Sequence, residues 1–206
     1  NAKASKISAS GYTVSANVTD NTEVSYVKFG TYPKSKGKSA IKWSTVYSPS
    51  KYVSGTVKTS DFGNLDDTYV TIIRAYDKYG NMSSKTLSTY IDTTPPKISN
   101  IKISGITAKG YTVTCTVSDN SEIESVKFPT WTTKNSTDDL DKNWASGTVS
   151  DGDVNGSKAA FYVSTADHNN ETGEYNTYIY AYDTYGNSSD KGVTVKISPA
   201  TGISLN

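Results

Sequence analysis

The chain has 206 residues, room for one large or two ordinary domains. Its 21 basic residues against 20 acidic ones leave a net charge of +1, which excludes the strong global field that draws a protein to nucleic acid or to an anionic membrane. Hydrophobic residues make up only 34%, but aromatics reach 11% through 16 Tyr, 3 Trp and 4 Phe, and a disordered chain would lack these rings.

Before any single element is placed, the sequence shows an internal duplication. Gly11 to Pro33 (GYTVSANVTDNTEVSYVKFGTYP) aligns without a gap on Gly110 to Thr132 (GYTVTCTVSDNSEIESVKFPTWT), with twelve of twenty-three positions identical. Thr59 to Asn81 likewise aligns on Thr165 to Asn187, ending in AYDKYGN and AYDTYGN. The second copy is longer in the middle, so its loops differ while the frame persists.

In chain order, Tyr12, Val14, Ala16 and Val18 alternate with polar residues, which predicts a strand with one face on a core and one in water. Val27 and Phe29 follow after a polar turn. The run Tyr69 to Tyr76 and then Leu87, Thr89 and Ile91 close the first copy. Two prolines in Asp92-Thr93-Thr94-Pro95-Pro96 fix φ and remove donors, so pairing is expected to stop there in a short, stiff connector. The second copy repeats the pattern with Tyr111, Val113, Cys115 and Val117, then Val126 and Phe128, then Ala159, Phe161 and Val163. It ends with Tyr175, Thr177, Ile179 and Ala181, then Val193, Val195 and Ile197. No segment carries ten residues of helical period with a cap. The reading is an all-β protein of two tandem antiparallel sandwiches, with about seven short strands per copy. The expected boundaries are 1–92, a linker at 93–96, and 97–198, with 199–206 leading towards a further module.

Cys115 is the only cysteine and sits on the apolar side of its strand, where Ala16 is its counterpart, so it reads as a small buried hydrophobe. One cysteine makes no internal disulfide. With sulfur confined to Cys115 and Met82, and Thr, Tyr and Asn abundant, the composition leans towards an exported bacterial protein. No apolar run approaches a membrane span, so membrane insertion is not expected. The abrupt start at Asn1 suggests a piece of a longer polypeptide.

The second copy resembles a known family. Phe128-Pro129-Thr130-Trp131, Asp138-Asp139-Leu140, Trp144, His168, Gly173-x-Tyr175 and Tyr180-x-x-Asp183 with Gly186 are similar to the GBS Bsp-like repeat, over about Gly110 to Ser189. Tyr175 and the alternate residues after it also resemble the sixth strand of immunoglobulin-like domains, where a tyrosine anchors a corner. The resemblance implies a repeated accessory module of secreted or wall-associated Gram-positive proteins, beside neighbouring domains of the same polypeptide, and it carries no catalytic residues to transfer. The first copy departs from it: there are no paired aspartates, and Tyr32 and Phe62 stand where Trp131 and His168 do.

Four groups of side chains invite a functional reading. His168 is the only histidine, so no His cluster can bind metal, and its Phe62 counterpart favours packing. Asp151-Gly152-Asp153-Val154-Asn155-Gly156 matches the first half of a calcium loop, which makes Asp151, Asp153 and Asn155 the metal candidates and Ca2+ the one cofactor considered. The twelfth position is Tyr162 and not Glu, and a polar hairpin would look the same. Asp138 and Asp139 could contact sugar hydroxyls or cap loop amides, and no apolar pocket accompanies them to make a glycosidase pair. Finally, if Tyr175, Thr177, Ile179 and Ala181 face the core, Tyr178, Tyr180 and Tyr182 share the opposite face. With Trp131 and Trp144 they form a candidate surface for peptidoglycan or another polysaccharide, weighed against plain cross-strand packing.

Overall fold

The computed structural model describes residues 1–47, 49–134 and 158–200, and the backbone of 153–155. It divides into two compact units, Asn1–Thr94 and Pro95–Asn206. Among the described residues no helix is long and apolar enough to cross a membrane.

The first unit contains β1 (Ala2–Ser8), β2 (Gly11–Asn17), β3 (Val24–Pro33), β4 (Lys42–Tyr47), β5 (Tyr52–Lys58), β6 (Asp67–Asp77) and β7 (Met82–Ile91). A three-stranded sheet, β1-β2-β5, faces a four-stranded one, β4-β3-β6-β7, and every pairing is antiparallel. The expected inward residues meet between the sheets: Tyr12, Val14, Val27, Phe29, Tyr69, Ile73 and Ile91 are all buried. The second unit contains β8 (Lys97–Thr107), β9 (Gly110–Ser118), β10 (Ile123–Lys127), β11 (Thr130–Thr132), β12 (Asp153–Asn155), β13 (Lys158–Ser164), β14 (Gly173–Asp183) and β15 (Ser188–Ile197). Its sheets are β12-β13-β9-β8 and a second one in which β14 pairs β10, β11 and β15. Cys115 is buried among Val113, Val117 and Val126, and desolvation raises its thiol pKa, so it is the inert hydrophobe the alternation suggests. Each unit is an immunoglobulin-like β-sandwich.

The first copy's β3 is one strand, whereas the second copy splits it into β10 and β11 at Pro129, which stands where Gly30 does. Proline has no N–H to give a ladder, but its carbonyl still accepts from the Tyr178 amide at 2.9 Å, so the frame holds across the break.

The residues shared by the two copies explain the duplication physically. Tyr69 donates its hydroxyl to the Leu65 carbonyl at 3.0 Å, and Tyr175 donates to the Glu171 carbonyl at 2.8 Å, four residues upstream in both cases. This is the expected tyrosine corner, and it ties the crossover between sheets to the start of β6 or β14. The A-x-D-x-x-G-N endings are capped hairpins. Asp77 accepts from the amides of Tyr79 and Asn81 and from the Asn81 side chain, and Asp183 accepts from the equivalent groups of Tyr185 and Asn187. The Asn81 side chain, ahead of the backbone amides, holds the Asp77 carboxyl below its ordinary range.

Tyr175→Phe removes only the corner hydroxyl and leaves the Glu171 carbonyl to find another donor. We expect it to lower the stability of the second unit by about 1–2 kcal/mol, read as a drop in urea midpoint with unchanged m-value. An unchanged midpoint would show that the corner bond contributes nothing net.

Candidate functional site

The parity argument places β14's residues as expected. Tyr175, Thr177, Ile179 and Ala181 are buried, and Tyr178, Tyr180 and Tyr182 lie on the outer face. Trp131 of β11 joins them, because Trp131 pairs with Asn176 and so shares that face. Successive rings stack: Trp131 on Tyr178 with centroids 5.4 Å apart and planes at 25°, Tyr178 on Tyr180 at 6.1 Å and 25°, Tyr180 on Tyr182 at 6.4 Å and 18°. The Lys127 ammonium sits 5.7 Å from the Tyr182 centroid and closes one end of the row. Across the sheet, Tyr178 pairs with Gly192, and a Cβ there would lie 3.0 Å from the ring, so glycine leaves the seat in which Tyr178 rests.

At these separations the rings are offset-stacked along one face of the sheet. All four rings are half-buried. Burial raises the Tyr180 pKa, and the nearby Asp190 carboxylate adds to the effect. The Tyr180 hydroxyl therefore stays a neutral donor and acceptor at any ordinary pH.

The remaining candidates are dispersed or lie elsewhere. Asp138, Asp139, Trp144 and Asp151 are outside the described residues. Asp153 and Asn155 belong to β12, where Asp153 pairs with Ala160 and Asn155 with Lys158, so the described part of the calcium-like motif is one arm of a hairpin. His168 is buried and meets Tyr175 edge-on at 5.4 Å, as Phe62 meets Tyr69 at 5.7 Å. Histidine and phenylalanine thus occupy one packing position in the two frames.

Sequence reasoning passed over an aromatic and cationic surface on the first unit. Trp43 of β4 lies over Gly30, where a Cβ would come within 2.6 Å of its ring, and the Arg74 guanidinium carbon is 4.9 Å from the Trp43 centroid. Tyr26 stacks on Tyr76 at 4.5 Å and 18°, Tyr47 leans on Tyr26 at 6.2 Å, and Lys28 sits 5.6 Å from the Tyr26 centroid. The signal was the spacing Trp43-x-Thr45-x-Tyr47 opposite Gly30. It goes unnoticed because cross-strand neighbours are set by register, which only the folded sheet shows.

Comparisons with known proteins follow from the fold. No curated protein matches the sequence. Among solved structures, the chain is similar to a region of a 1.5-MDa bacterial ice-binding adhesin, at 14% identity and a TM-score of 0.48, covering 96% of this chain and 63% of that one. It is also similar to the FN1–FN3 domains of chicken CNTN1, at 9% identity and a TM-score of 0.49, covering 97% and 65%. A third is a Ca2+-stabilized adhesin of an Antarctic bacterium, at 17% identity and a TM-score of 0.47, covering 96% and 48%. The chain therefore spans less than two thirds of the length of each of these three. Residues 100–196, most of the second unit, match the model of the GBS Bsp-like repeat.

Proposed function

We propose that the two units are non-catalytic accessory modules of a longer, secreted or surface-displayed bacterial polypeptide, serving to space and position neighbouring domains. One observation carries this reading: the side-chain constellations described above that both copies retain are committed to the frame. The tyrosine corner, the capped Asp-x-x-Gly-Asn hairpin and the buried Tyr–Thr–Thr hydroxyl chain (Tyr12, Thr71 and Thr31; Tyr111, Thr177 and Thr130) each make their hydrogen bonds within their own unit. A match to a repeat family suits a chain in which one unit occurs twice. Residues 93–96 then act as a short stiff connector between modules.

A second reading, association with peptidoglycan or another polysaccharide, is favoured by the aromatic rows on the outer faces, Trp131-Tyr178-Tyr180-Tyr182 in one unit and Trp43 with Tyr26, Tyr47 and Tyr76 in the other. Co-sedimentation with insoluble peptidoglycan, starch, chitin and cellulose separates the two. The spacer role predicts no retention and no release of soluble sugar. Retention that Trp131→Ala or Tyr178→Ala abolishes would establish the second reading, and sugar release would overturn both.

A further inference from the structure

The two copies differ sharply at one place outside the aromatic faces. In the second unit Tyr162 closes over Gly110: its hydroxyl oxygen would be 2.8 Å from a Cβ built on Gly110, and it donates to the Lys109 carbonyl at 3.1 Å. In the first unit Thr56 stands at the position of Tyr162, because Thr56 pairs with Thr13 as Tyr162 pairs with Thr112. The ring is missing, and a cavity of about 350 Å³ opens over Gly11 and Tyr12.

Its walls have changed in the same direction. Lys6 and Lys58 line the cavity of the first unit, and the second unit has Gly105 and Ser164 at these positions. Lys6 is held at φ 51° within a register shift of β1, and Gly105 has φ 62° at the equivalent point. A left-handed conformation suits glycine and is unfavourable for lysine, so the first copy keeps a cation where the backbone would favour none. The rest of the lining is largely hydroxyls, among them Ser8, Ser10, Thr13 and Thr56, and it includes no acidic side chain.

We propose that this cavity in the first unit is a binding site for a single acidic sugar ring. The ring would take the seat that Tyr162 fills in the sister copy, a six-membered ring with a hydroxyl for a six-membered ring with several. Its carboxylate would lie between the Lys6 and Lys58 ammonium groups, and its hydroxyls would meet the serine and threonine side chains. The proposal does not depend on either reading of the aromatic faces, since the site lies over β1, β2 and β5, on the other sheet of the sandwich.

Amide chemical shifts of the full chain, followed during titration with glucuronate, glucose and inorganic phosphate, test it. We expect saturable shifts at Ser8, Gly11 and Lys58 with glucuronate, and affinity about tenfold weaker for glucose, which lacks the charge. Thr56→Tyr installs the sister copy's ring and should abolish these shifts. Lys6→Gly with Lys58→Ser keeps the cavity and should lower glucuronate affinity to that of glucose. The proposal is overturned by the absence of saturable shifts, by shifts that persist in a folded Thr56→Tyr chain, or by phosphate binding as tightly as glucuronate. Should Thr56→Tyr fail to fold, the double lysine variant decides alone: unchanged glucuronate affinity overturns the proposal.

Discussion

Gly110→Ala should destabilise the second unit by more than about 3 kcal/mol, because two independent penalties fall on one atom. Gly110 has φ 145°, where a side chain is strained, and a Cβ there would lie 2.0 Å from the Val163 carbonyl oxygen of the neighbouring strand. No flexible side chain can move aside, since the obstacle is backbone that pairs β13 with β9 through seven residue pairs. Gly11 is in the same position at φ 137°, with the Val57 carbonyl 1.9 Å from its absent Cβ. Urea unfolding of the two alanine variants checks the claim. A loss below about 1 kcal/mol in either would mean that the strands part more easily than their geometry implies.

The second large effect concerns the polar chain inside the core. Tyr111 of one sheet is hydrogen-bonded to Thr177 of the other at 2.6 Å, and Thr177 to Thr130 at 2.9 Å, all three buried. Tyr12, Thr71 and Thr31 repeat the chain at 2.7 and 2.9 Å. Thr177→Val keeps shape and burial but strips the central hydroxyl that bonds Tyr111, while Thr130 keeps its bond to the Phe128 carbonyl at 3.2 Å. We expect a loss of about 1–3 kcal/mol, larger than for an exposed threonine because the Tyr111 hydroxyl is buried.

The same burial makes the unit sensitive to alkali. Desolvation pushes the Tyr111 pKa up to about 12, above its ordinary value of 10.0, and the hydrogen bond from Thr177 offsets only part of that rise. The unfolded chain therefore releases this proton first as pH rises. The contribution is fully present below pH 10 and is lost between pH 10 and about 12, with a size of about 2–3 kcal/mol. Tyr111→Phe should flatten that part of the stability profile. A profile unchanged by the substitution would assign the alkaline loss to other tyrosines, of which Tyr12 and Tyr69 are also raised by burial.

The two aromatic faces show where sequence stops being informative. Tyr178, Tyr180 and Tyr182 could be assigned to one face from alternation alone, because a strand sends successive side chains to opposite sides. What the rings do there depends on what lies across the sheet: Gly192 seats Tyr178, Trp131 covers its other side, and Lys127 ends the row. None of these is near in sequence, and only the folded sheet brings them onto one row. The acid-sugar cavity was equally hidden, since Thr56 and Lys6 are fifty residues apart and acquire meaning only against Tyr162 and Gly105 of the other copy.

The sequence by itself determined the duplication, the sandwich class and the inward residues. These follow from period-two alternation, turn chemistry and residues repeated at a constant offset, all properties of neighbours along one chain. Tertiary structure alone decided which outer side chains meet, which are covered and where a cavity opens. Register and sheet-to-sheet packing bring together residues that no local rule connects.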